Sequence, residues 1–132
     1  NAVLPLLWLA ALEPVLRRSE AAAVAVLSAR VGSIGDNHLG GWYGYRASKA
    51  ALNMLLRSAA VELGRCAPNV ALLAFHPGTT DTALSKPFQA RVPADKLFSP
   101  ARVADALLAR MDAARADGEL HFVDYAGDPI PW

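Results

Sequence analysis

The chain has 132 residues, of which 54% are hydrophobic and 19% charged, and its formal net charge is +1. With this balance no basic patch argues for nucleic acid, and no acidic tail is present. The single cysteine, Cys66, excludes an internal disulfide, offers no metal-ligand spacing and fits a reducing, cytoplasmic setting.

A length of this order holds one domain or part of one. The chain opens without an initiator Met, on an apolar run, and reads as a piece of a longer protein. That run, Ala2 to Leu12, has no basic segment before it and is too short to cross a bilayer. A buried helix from Ala2 to Arg17 is expected instead, with Pro5 in its first turn and Pro14 bending its far end. Ala21 to Ser28 is almost continuously apolar, as a strand of a parallel sheet covered on both faces would be. Val31 to Trp42, rich in Gly, Asp and Asn, reads as a loop at that strand's C-terminal end.

A long helix is expected from Tyr43 to Arg65. Tyr45, Lys49, Leu52, Leu56 and Leu63 follow one side, while Ala47, Ala51, Met54, Leu55 and Val61 cover much of another. A helix apolar on two sides needs two covers, either within one subunit or from a sheet and a second subunit. Pro68 breaks the chain, and Asn69 to Phe75 reads as a second buried strand ended by His76-Pro77-Gly78. Thr79 to Pro93 is irregular or partly helical. Ser99 and Pro100 make a helix start, as N-cap and first helical residue. This helix should reach Ala116, with Gly118 past its end. Glu119 to Tyr125 supplies a last strand, closed by Gly127-Asp128-Pro129. Three strands alternating with helices make the second half of a doubly wound, Rossmann-type α/β sheet.

Tyr45 and Lys49 stand four residues apart and share one helix face. A phenol ionises near pH 10, and an ammonium held beside it stabilises the phenolate. Bringing that ionisation near neutrality takes roughly 4 kcal/mol of differential stabilisation, within reach of buried charge pairs. Such a pair passes a proton to or from an oxygen, as carbonyl reduction and alcohol oxidation require. Ligands of open α/β sheets bind beyond the C-terminal strand ends. Ser28 and Ser33 flank one such end, and Thr79 to Thr82 follow the next. His38 and His76 have no partner at catalytic spacing. Trp42, Phe88 and Phe98 suit an apolar substrate pocket as well as they suit a core. Gly32-Ser33-Ile34-Gly35 hints at a hydrolase elbow, but Val31 stands where its first glycine belongs. No metal motif is present.

The segment Tyr45-Arg46-Ala47-Ser48-Lys49-Ala50-Ala51-Leu52-Asn53, with a serine-bearing strand end before it and His76-Pro77-Gly78-Thr79-Thr80-Asp81-Thr82 after it, resembles the short-chain dehydrogenase/reductase family. Leu27-Ser28-Ala29-Arg30-Val31-Gly32-Ser33-Ile34-Gly35-Asp36-Asn37, followed by Gly40-Gly41-Trp42, is similar to its C-factor-like and sniffer-like carbonyl reductases. The resemblance implies that Tyr45 is the proton donor or acceptor, and that Lys49 lowers its pKa and binds the nicotinamide ribose. It implies a serine holding the substrate oxygen, here Ser33 or Ser28. Alignment on Gly32 puts Ala29 where that serine usually stands, with Ser33 twelve and Ser28 seventeen residues before Tyr45. Asn1 matches the asparagine that completes a catalytic tetrad. Pro77, Gly78, Thr80 and Thr82 match the segment that binds the nicotinamide carboxamide.

NAD or NADP is the implied cofactor. Neither a Gly-rich phosphate turn nor the residue that selects between the two is present. Residues 1–132 therefore correspond to the C-terminal catalytic half of a single domain whose dinucleotide-binding half is absent. The implied partners are a small carbonyl or alcohol substrate, no nucleic acid or membrane, and a second copy in a homodimer or homotetramer. Two other readings remain open: a nucleotide-binding regulatory protein of the same fold, and a non-catalytic fragment.

Overall fold

The computed structural model describes residues 1–132. Helix α1 (Val3–Leu16) leads into strand β1 (Ala22–Leu27), and a short 3-10 turn at Arg30–Gly32 follows. Helix α2 (Tyr43–Cys66) runs into β2 (Val70–His76). A two-residue strand, β3 (Thr79–Thr80), precedes 3-10 turns at Lys86–Arg91 and Ala94–Lys96. Then come β4 (Leu97–Phe98), α3 (Pro100–Asp112) and β5 (Leu120–Asp124). The expected alternation of three helices with three main strands is present.

β2 lies centrally in a parallel sheet of order β1-β2-β5, with Val24 opposite Leu72 and Leu72 opposite Leu120. Alternation along each strand sends Val24, Val26, Val70, Leu72, Ala74, Leu120 and Phe122 to one face. There they meet Leu9 of α1 and Leu52, Leu56, Ala60 and Leu63 of α2 in one apolar cluster. Leu52 and Leu56 are fully buried, each contributing about 1.5–3 kcal/mol through burial. Pro68 restricts Ala67 to a non-helical conformation, which ends α2 at Cys66.

The edge of β1 opposite β2 is unpaired. Ala22 and Ser28 donate their N–H groups to Asn69 and Phe75 on the β2 side. The intervening odd residues, including Leu27, therefore direct their backbone groups to the open edge.

Three features depart from expectation. Helix α1 is not a buried helix: Leu9 is its one buried residue, because only one side of it meets the sheet layer. α3 ends at Asp112 rather than Ala116. The chain must turn from the helix to enter β5 in register with β2, and it does so through Asp117, which accepts from the Glu119 N–H, and left-handed Gly118. The β3–β4 pairing, joined by the Asp81 N–H to Phe98 carbonyl bond, closes the base of the 81–96 loop and carries no sequence signature. Ser99 does cap α3, accepting from the Arg102 N–H.

Val3, Leu4, Leu7, Trp8 and Val15 of α1, and Met54 and Val61 of α2, are exposed. No helix is long and apolar enough to cross a membrane.

Candidate active site

The turn after β1 sits directly on α2. A Cβ at Gly32 would lie 2.8 Å from the Lys49 backbone and Cβ, so the close approach requires glycine. This contact sets Ser33, the next residue, beside the part of α2 that carries Tyr45 and Lys49. Tyr45, Lys49 and Asn53 recur every four residues and form a polar stripe toward the end of β1.

Lys49 and Asn53 of that stripe have different hydrogen-bond partners. The Lys49 ammonium donates to the Leu27 carbonyl at 2.8 Å, on the open edge of β1. The Ser28 hydroxyl donates to Asn53 Oδ1 at 2.6 Å in a buried bond, while Asn53 Nδ2 is buried without a partner. Tyr45 is 43% exposed. Burial raises its phenol above the usual value and holds the Lys49 ammonium below the usual lysine value. In this arrangement burial of the phenol sets the direction at Tyr45, while the Lys49 ammonium is held by the strand-end carbonyl.

The two serines differ in what their protons can do. Ser28 commits its proton to Asn53. Ser33, also buried, accepts from the Asp36 N–H at 2.9 Å, which leaves its own proton available. Asn53 was missed by the sequence reading, although its i+8 spacing from Tyr45 is the signal that would have found it. Asn1 is exposed, precedes α1 and makes no side-chain hydrogen bond to this group.

The neighbouring strand ends form a second polar cluster. Arg30 donates to Asp36 at 3.1 Å and to Asp124 at 3.0 Å. Buried Asp124 also accepts from the Ala126 and Asp128 N–H groups. His76 Nδ1 is buried without a partner. Burial, aided by the Arg30 charge and opposed by Asp124, pushes the His76 pKa down to about 4. A cavity of about 250 Å³ opens here, lined by Arg30, His76, Gly78, Thr79, Lys96, Phe98, Asp124 and Tyr125.

Gly78 follows Pro77 with φ of +71°, and a Cβ there would meet the Phe98 ring at 2.7 Å. Left-handed backbone and close packing both require glycine at this point. Thr80 Oγ1 is buried and unpartnered, whereas Thr82 is exposed, with its backbone tied to Ser85. Of these residues Gly78 lines the cavity, Pro77 and Thr80 flank the lining pair Gly78-Thr79 in sequence, and Thr82 follows on the exposed loop.

Trp42, just before α2, has φ of 47° and ψ of 40°, a left-handed conformation that costs a bulky residue about 1–3 kcal/mol. Arg46 holds this segment. It donates to the carbonyls of Gly40 and Gly41 at 3.0–3.2 Å and to that of Val31 at 3.4 Å. The Trp42 ring lies 6.5 Å from the Tyr45 ring and 6.0 Å from Phe88, which it meets edge-on.

Comparison with known proteins is consistent with this geometry. A profile of the short chain dehydrogenase family matches residues 4–93, more than half of the chain. C-signal of Myxococcus xanthus is 38% identical over 133 residues, covering all of this chain and 74% of that protein. The carbonyl reductase Sniffer of D. melanogaster superposes with a TM-score of 0.82 at 24% identity. The NADPH-bound carbonyl reductase from chicken fatty liver gives 0.83 at 25% identity. All of this chain is covered in both superpositions, but only 54% of either reductase. The chain belongs to the short-chain dehydrogenase family.

Proposed function

We propose that the protein carrying this chain is an NAD(P)-dependent oxidoreductase that reduces a carbonyl, or oxidises an alcohol, by hydride transfer. The observation that carries this reading is the Gly32 contact, which sets a serine with a free proton beside the Tyr45/Lys49 face. The nicotinamide, when bound, supplies or accepts the hydride. This chain's own residues handle the proton and the oxygen.

In the reducing direction, Tyr45 donates its proton to the carbonyl oxygen as the carbonyl carbon gains hydride, leaving a phenolate and an alcohol. The Lys49 ammonium would stabilise that phenolate on leaving the Leu27 carbonyl, and it is the residue that would hold the nicotinamide ribose. Ser33, rather than Ser28, fixes the substrate oxygen because only its proton is uncommitted. Asn1 completes the relay in the family arrangement. Pro77, Gly78, Thr80 and Thr82 would hold the carboxamide, and the unpartnered Thr80 hydroxyl beside this turn suits a polar amide. The cofactor is NAD or NADP, and the residue that selects between them lies outside these residues.

Residues 1–132 then form the catalytic half of one Rossmann-type domain, with the dinucleotide-binding half supplied outside it. The 54% coverage of both solved reductases supports this division. The exposed apolar faces of α1 and α2 support a homodimer or homotetramer. The single Cys66 supports a cytoplasmic location.

NADPH or NADH oxidation with a panel of carbonyl compounds tests the reading. Tyr45→Phe should lower the rate about a hundredfold or more. An unchanged rate would remove Tyr45 from the chemistry, and nucleotide binding without turnover of any carbonyl would favour a regulatory protein.

A further inference from the structure

We propose that the face of the sheet turned toward α3 carries a second binding site, whose ligand is a small oxyanion, a phosphate or a carboxylate, gripped by Arg110. The site is separate from the proton-handling residues and does not rest on the oxidoreductase reading.

Its position follows from strand alternation. Leu72, Leu120 and Phe122 face the α1–α2 layer, so Leu73, His121 and Val123 face the other way, toward α3. A cavity of about 250 Å³ lies there, between these three residues, Arg110 and Arg115 at the end of α3, and Gly127. It adjoins β5, whereas the unpaired edge of β1 is on the opposite side of the sheet. The outer edge of β5 is met by the chain's own C-terminal turn, through the Val123–Pro129 bridge.

The Arg110 guanidinium is built into that turn. Nη1 donates to the Ala126 carbonyl at 3.1 Å. A Cβ at Gly127 would collide with Nη1, and Gly127 is itself left-handed with φ of +93°, so the guanidinium needs glycine beneath it. The opposite edge of the group, Nε and Nη2, is uncommitted. Nε is buried without a hydrogen-bond partner, and the only side-chain bond of Arg110 is that of Nη1. A charged donor buried without an acceptor is costly, and an acceptor entering the cavity removes that cost.

The one carboxylate lining the cavity is already spent. Asp117 accepts from the Glu119 N–H at 3.0 Å through Oδ1 and pairs with His121 Nε2 at 2.9 Å through Oδ2. Arg115 is exposed and takes part in none of the chain's salt bridges. The lining therefore presents two guanidinium groups and no free acid. The Nε–Nη2 edge of a guanidinium holds two donors in parallel, matching two oxygens of a carboxylate or phosphate. A water or a neutral ligand satisfies Nε but leaves both charges unanswered.

The test titrates the protein that carries this chain with inorganic phosphate and, separately, with acetate, at constant ionic strength set by chloride. The Arg110 Nε–H and Gly127 amide resonances report the site without any turnover. Both should shift to saturation at millimolar anion. Saturation by phosphate alone identifies a phosphoryl ligand, and saturation by acetate at equal concentration a carboxylate one. Arg110→Lys keeps the charge but loses the two-donor edge, and should weaken binding about tenfold when followed at Gly127. Arg115→Ala, a change at an exposed position, should weaken it about threefold. Shifts without saturation, or affinities unchanged in both variants, would overturn the site. So would shifts that follow protein concentration without added anion, which would mean that a second copy fills the cavity. Turnover of carbonyl compounds bears only on the oxidoreductase reading, so the two can fail separately.

Discussion

The inner and outer faces of the α1–α2 layer carry similar residues and meet opposite fates. Leu52 and Leu56 are wholly buried against the sheet. Met54 and Val61 on the same helix, with Val3, Leu4, Leu7 and Trp8 on α1, are 40–67% exposed. Apolarity in a sequence states that a surface favours cover; it does not state what supplies it. Here the chain covers the face that meets its own sheet and leaves the other exposed.

The largest test of that contrast is Leu56→Ala, which should cost about 2–5 kcal/mol of unfolding free energy in urea titration. Met54→Ala should stay within about 0.5 kcal/mol. Similar costs at the two positions would break the distinction between the faces.

A comparable effect should come from pH at the sheet's inner end. His76 is held neutral down to about pH 4, whereas in the unfolded chain it protonates near pH 6.5. Between those values the unfolded state binds a proton that the folded state refuses, so stability falls as pH falls. The loss should reach about 3 kcal/mol at pH 4, and none is expected above pH 6.5. Denaturant titrations across this window should lose that slope in His76→Gln.

Ser28→Ala comes next. It leaves Asn53 Oδ1 buried without its donor and should cost about 1–3 kcal/mol, with Ser28→Ala,Asn53→Leu recovering part of it. Ser33→Ala should affect turnover more than stability. A reversed pattern would exchange the roles of the two serines.

The smallest effect on the folded chain should come from Trp8→Lys on the outer face, within about 0.5 kcal/mol by denaturant titration. The same change should abolish self-association measured by size. If association survives, the exposed α1 face is not its surface.

Much of this architecture was legible in advance. β1, β2 and β5 fell within a residue or two of the apolar runs that announced them, and Ser99-Pro100 marked the start of α3 through local capping alone. The β3–β4 pair and the early end of α3 were not legible, because each is settled by strand register between distant segments. At the site, the Tyr45/Lys49 spacing was legible because it lies within one helix. The partner of Lys49 was not, since the Leu27 carbonyl comes from a strand edge twenty-two residues away.

The sequence alone determined the alternation of helices and strands, the shared face of Tyr45 and Lys49, and the family. These are local periodicities and ordered motifs, which the chain encodes without reference to distant contacts. Only the tertiary structure separated Ser33 from Ser28 by assigning their protons, brought Asn53 to the strand end, and set Phe88 against a strained Trp42. Those outcomes depend on which groups meet across the fold, because a hydrogen bond or ring contact is decided by the partner as much as by the residue.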